Sequence, residues 1–369
     1  MDIISRNFFR LLRAGAFDEE EQIEPMSAWK WRRTYQYALM HGVSALLYDG
    51  IEKCSDQFFM QLQPELADAW RASTNDIEQE SRTLSSSLTR LYQLLNRQQL
   101  RPMLTKGLHM ASLYKRPEHR SVHAIEIFFP FETQGKKADL WARDNGTHHN
   151  EAQRHTLCYQ WNNLPVEHQH RLYQLTNRLL NRTLQNIIEA EIRENEPNYI
   201  TIDNTRMEVT TNALAMLHVI LDIAHSMLNN GISVQQLTDL GIMLRQAGNK
   251  TDFVKLQNWI DKLGLKRIAQ TAGQLLIELL GFSSDEIPFM SAGKESNLDP
   301  ILRELFLMRN DQQAEWSFQQ GQDIFVHSTN SSAMMWQTRH SLSNFRYYPA
   351  EGITNFFTTF THSLSHIEE

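Results

Sequence analysis

The 369 residues carry 36 Lys and Arg against 43 Asp and Glu, a formal charge of −7 and a sequence pI near 6.1. That length predicts two or three structural units at about 100–200 residues each, and the mild acidity gives no strong nucleic-acid signal. Two cysteines, Cys54 and Cys158, exclude a disulfide framework and a Cys-rich zinc site; no apolar run nears the roughly 18 residues that span a bilayer, and Met1-Asp2 opens no signal peptide, so a cytoplasmic protein without membrane contact is expected.

In chain order, Ile3, Ile4, Phe8, Leu11 and Leu12 form one helical stripe with Arg6, Arg10 and Arg13 opposite. Core packing and a membrane-surface helix are both readings of that pattern. An acidic loop, Asp18 to Glu24, follows, and Ser27 is the expected N-cap of a helix from Ala28 to Met40. Its Trp29, Trp31, Tyr35 and Tyr37 read either as interhelical packing or as a base-stacking platform. Gly42 breaks that pattern, and Pro64 begins a long helix reaching about Gln99, with Ile77, Leu84, Leu88, Leu91 and Leu95 at a period of three to four.

Met103-Leu104 reads as a short strand, and the Lys106-Gly107 turn opens a helical run. A basic connector ends at Arg120, and residues 122–129 alternate as a strand. Glu126 sits inside that strand between Ile125 and Ile127, where an acid is costly unless paired, exposed or metal-bound. A helix closed by Asn145-Gly146 follows, then a β-hairpin over 156–171 turning at Asn162-Asn163. Its second arm carries Glu167, His168 and His170; the two histidines share a strand face, yet no Cys-x-x-Cys or His-Glu-x-x-His spacing supports zinc. From Leu172 the chain reads as mostly helical, with a strand or loop at NYITIDNTRMEV, a loop over 283–300, a strand near DIFVH and a closing helix at FFTTFTHSL.

Lys106, Gly107, Tyr114, Pro117 and Arg120 followed by Glu126 resemble the signature of an uncharacterised nucleotidyltransferase family within the DNA polymerase beta-like superfamily. The resemblance runs from about residue 30 to 350, strongest over 104–171 and moderate over 211–281, where His218, Gly231-Ile232, Gln236-Leu237 and Asp239 fit. Departures concentrate at the chemistry: His123 stands for a Gly, Ala124 for the first metal-binding Asp, Glu126 for the second, Ser233 for a Gly and Gln235 for an Arg. Residues 124 and 126 of a strand share a face. Paired carboxylates there can bridge two divalent ions roughly 3.5–4 Å apart for in-line phosphoryl transfer. Ala124 offers no oxygen.

The resemblance implies an α+β protein with a small mixed β-sheet nucleotidyltransferase-like core. The expected division is a helical lead over 1–80, the core over 81–195, a helical bundle over 196–300 and a C-terminal region over 301–369 packing on the core. It also implies Glu126 and Glu167 as metal-holding catalytic carboxylates, with Mg²⁺ weak or absent, and Lys106, Gly107, Arg120 and His123 around a nucleoside triphosphate. Each has a plainer reading: Lys106-Gly107 as a turn, Arg120 paired with Glu118 or Glu126, His123 filling the pocket, Glu126 a salt-bridged relic. The function expected is nucleotide binding with impaired or lost nucleotidyl transfer. An active Mg²⁺-dependent transferase with an unknown acceptor, and a non-catalytic protein-interaction module, are the alternatives.

Overall fold

A computed structural model describes residues 1–58, 60–153, 155–229, 231–290, 297–307 and 345–354. The strand expected at DIFVH and the helix at FFTTFTHSL lie outside the described residues.

Helix α1 (Ile3–Phe17) begins where Asp2 accepts the Ser5 N–H at 2.8 Å. Its apolar stripe is buried, and its arginines turn to the acidic loop: Arg6 and Arg10 each reach Glu24 at 2.8 Å, and Arg13 reaches Glu21 at 2.5 Å. Helix α2 (Ala28–Met40) starts at Ser27, whose side chain makes no capping bond, and α3 (Ser44–Lys53) packs on α1. Trp31 and Tyr37 are buried, Tyr35 tilts onto Trp70 with ring centroids 4.9 Å apart, and Trp29 faces solvent, so these aromatics do not form one platform. Helix α4 (Pro64–Arg97) buries Leu84, Leu88, Leu91 and Leu95 along one face.

The sheet follows: β1 (Met103–Leu104), the short helix α5 (Leu108–Ala111), a 3₁₀ turn (Pro117–His119), β2 (Ile125–Phe128), α6 (Glu132–Asn145), β3 (Thr147–Gln153), β4 (Thr156–Trp161) and β5 (Leu164–Gln169). Then come α7 (Arg178–Glu194), β6 (Asn198–Ile202), β7 (Thr205–Val209), α8 (Asn212–Asn229), α9 (Val234–Ala247), α10 (Phe253–Lys262), α11 (Lys266–Leu280) and α12 (Asp299–Leu305). The fold is α+β, with seven strands in the order β3-β4-β5-β2-β1-β7-β6 among the described residues. The β4–β5 hairpin turns at Asn162 and Asn163, both left-handed at φ 53° and 63°, and NYITIDNTRMEV is a second hairpin turning at Asp203-Asn204. Strand β3 was not apparent in the pattern: THHNEAQ has no large apolar residue and sits at the sheet edge with an irregular register.

Alternation sorts the sheet's two faces. Leu104, Ile125, Ile127, Val166 and Val209 point into a core closed by α4 and α6. Met103 and Phe128 point the other way, into the larger core that holds α1 to α3 and α8 to α11. Glu126, between Ile125 and Ile127, shares this second side with Phe128.

Candidate active site

Strand β1 is antiparallel to β2 with Leu104 opposite Ile127, so the residues leaving β1 run past Glu126. The turn at Gly107 has φ 51° and ψ −113°, a conformation open to glycine and not to residues with a Cβ. A Cβ there would sit 3.5 Å from Glu126 Oε2 and 3.4 Å from the Ala124 carbonyl oxygen. The Gly107 turn thus lies beside the carboxylate.

Strand β5 lies parallel to β2 on its other side, and Glu167 is the cross-strand partner of Glu126. Register partners in a parallel pair project from the same face of strands about 4.8 Å apart. The two carboxylates therefore share one face, and both side chains keep partial solvent access. Crowding by protein atoms pushes the Glu126 carboxyl up to about 7; Lys106 opposes the rise, Glu167 and Asp222 add to it, and Arg120 opposes it weakly.

Lys106 completes the cluster with a residue not singled out in the sequence, Asp222 of α8. Its Nζ donates to Asp222 Oδ1 at 3.0 Å and lies 6.0 Å from the Tyr173 ring centroid. Burial alone depresses the Lys106 ammonium, but Asp222, Glu126 and Glu167 together raise it above its ordinary value. Nearby, His218 is buried with its Nε2 unpartnered among the described residues, and burial, then Lys106 and His109, hold its imidazole neutral. A signal for Asp222 was present: it is an acid inside the apolar run VILDIAH, one helical turn beyond His218. The same logic flags Glu126.

Arg120 has a different setting. It is buried, and its Nε and Nη2 donate to Asp239 Oδ1 and Oδ2 at 2.9 and 2.8 Å. Nη1 donates to the carbonyls of Gly107 at 3.3 Å and Ser121 at 3.1 Å, and Tyr114 Oη donates to Asp239 Oδ1 at 2.6 Å. Its partner is therefore Asp239, not Glu118 or Glu126, and the guanidinium is committed to protein acceptors rather than turned toward a phosphate. Gln235, standing for an Arg, donates to the Ser121 carbonyl at 3.1 Å. His123 is exposed, 3.8 Å from Glu80 of α4, and does not fill the pocket.

His168 of β5 and His170 just past its end point elsewhere. His168 is buried, 2.9 Å from Tyr159 Oη, while His170 bonds Asp139 of α6 at 2.7 Å. Among the described residues, no group of three or more His, Cys, Asp or Glu side chains is placed to hold a metal ion. Nor is any described helix long and apolar enough to cross a membrane.

Of the sequence-read candidates, Glu126, Glu167, Lys106 and Gly107 come together; Arg120 borders them through the Gly107 carbonyl while paired with Asp239, and His123 stands apart. No curated protein and no solved structure matches the chain. One family model does, described as an uncharacterised nucleotidyltransferase, over residues 27–281.

Proposed function

The chain belongs to that uncharacterised nucleotidyltransferase family, and we propose that it binds a nucleoside triphosphate with one divalent cation while nucleotidyl transfer is impaired. The observation that carries this reading is the parallel register of Glu126 with Glu167 beside Lys106. When ionised, Glu126, Glu167 and Asp222 contribute three negative charges against the one positive charge of Lys106. Arg120 is already balanced by Asp239.

The donor set fits one hard cation. Magnesium commonly takes one or two carboxylates and fills its remaining positions with water and substrate phosphate oxygens. A second ion lacks its ligand, because Ala124 ends in a methyl group. The chemistry such an ion supplies when bound is polarisation of a phosphoryl oxygen and neutralisation of its charge. The chain's own residues do the rest: Glu126 and Glu167 hold the cation, the Lys106 ammonium meets the phosphates as a point charge, and Gly107 lets the backbone approach closely. Glu126 must be ionised to serve, so cation binding strengthens as pH rises through about 7.

Titration calorimetry with ATP, CTP, GTP and UTP, with and without Mg²⁺, tests the proposal. At least one nucleotide is expected to bind, more tightly with Mg²⁺, and Glu126→Gln is expected to remove the Mg²⁺-dependent part. Labelled nucleotide is expected to show no Glu126-dependent transfer. Failure of all four to bind would favour an interaction module; Glu126-dependent turnover would favour an active transferase.

A further inference from the structure

We infer that Asp222 is a positioning residue for Lys106: it holds the ammonium off the Glu126–Glu167 pair, leaving that pair open to a cation and the ammonium aimed at the phosphates. This rests on the proposed cation site and adds to it a residue on a helix, outside the sheet that carries the two glutamates.

Lysine is a compact charge on a flexible four-carbon stem, so its position is set by whichever anions surround it. Three carboxylates act on the Lys106 ammonium, with Asp222 the strongest and Glu126 and Glu167 following. The contact to Asp222 Oδ1 at 3.0 Å is the direct one, and both side chains keep partial solvent access. The α8 backbone that carries Asp222 is held: Tyr173 Oη donates to the neighbouring Leu221 carbonyl at 2.9 Å, and Gln236 Nε2 donates to Ser226 Oγ at 2.8 Å and to the Asp222 carbonyl at 3.4 Å. His218, one turn earlier on α8, is buried and neutral and offers the ammonium no counter-charge.

Without the Asp222 charge, the anions that act most strongly on Lys106 among the described residues are the two glutamates. The ammonium would then settle on them and occupy, as an internal cation, the place a metal ion needs. Asp222 acts through Lys106, which it contacts directly, and not as a metal ligand.

The test is the affinity of the full chain for Mn²⁺ alone, by paramagnetic resonance of free Mn²⁺ or by calorimetry, without nucleotide. Asp222→Asn is expected to weaken Mn²⁺ binding roughly tenfold, within the ~5–150-fold range usual for coupled sites. Asp222→Glu is expected to recover most of that loss. The double variant Asp222→Asn with Lys106→Met is expected to bind Mn²⁺ as tightly as Lys106→Met alone, since no internal cation remains to compete. Unchanged affinity in Asp222→Asn overturns the inference, and so does a loss that persists in the Lys106→Met background. If the wild-type chain binds no Mn²⁺, the cation site itself fails and the role of Asp222 falls with it. Wild-type binding that Asp222→Asn leaves intact removes only the positioning role.

Discussion

Two ion-pair systems flank Gly107, and they are built to opposite standards. On one side, Arg120, Asp239 and Tyr114 form a closed set: the guanidinium nitrogens Nε, Nη1 and Nη2 all find protein acceptors, and one positive charge meets one negative. On the other side, Lys106 faces Asp222, Glu126 and Glu167, and the balance is one against three. The first arrangement clamps α9 to the segment that precedes β2 and has nothing left to offer a ligand. The second carries an excess of carboxylates over cationic groups that folding leaves in place and that a bound cation would offset. A buried charged residue is thus informative through its balance, not its presence.

The largest expected effect probes the closed side. Asp239→Asn leaves the Arg120 guanidinium buried with no counter-ion, and breaking one partner of such a pair costs about 3–5 kcal/mol. Urea denaturation at neutral pH measures it. A loss below ~1 kcal/mol, the range of exposed pairs, would erase the distinction between the two systems.

The surplus side is expected to respond with the opposite sign. Glu126 ionises near 4.5 in an unfolded chain and near 7 in the fold. Between those values the folded state binds more protons than the unfolded one, so stability falls as pH rises through this window. By pH 8 most of the penalty of the crowded charge is present. Glu126→Gln removes it, and the variant is expected to be more stable than wild type by on the order of 2 kcal/mol at pH 8, with little difference at pH 4. Equal denaturation midpoints for the two proteins at both pH values would mean the carboxylate is already compensated.

Most of the fold was legible because its signals are local. The α1 stripe, Pro64 opening α4 and the Asn162-Asn163 turn each announce themselves within a few residues. Glu126 was legible as an acid in an apolar strand, and Glu167 through the family resemblance. Their meeting was not, since it depends on β5 returning parallel to β2 after an intervening helix and two strands. Asp239 lies 119 residues from Arg120, and Asp222 lies 116 from Lys106, so no spacing rule reaches either pair. Polar β3 was hidden for the converse reason: an edge strand needs no apolar alternation to hold its place.

The smallest expected effect comes from returning an oxygen to position 124. Ala124 is half-buried in the bend just before β2, two residues from Glu126; an acid there reaches the side of Glu126 if the bend keeps strand alternation. Ala124→Asp adds a negative charge to a cluster already in surplus. Without Mg²⁺ that charge repels a triphosphate and raises the Glu126 carboxyl further. With Mg²⁺ it becomes a further ligand. The expected outcome is a gain of about three- to tenfold in nucleotide affinity, up to roughly 1.4 kcal/mol, seen by calorimetry only when Mg²⁺ is present. A gain equal with and without the ion would point to a rearranged cleft. No gain in either condition would mean that the bend at 124 no longer follows the strand geometry that lets two carboxylates share one cation, so that the loss at this position reaches the backbone as well as the side chain.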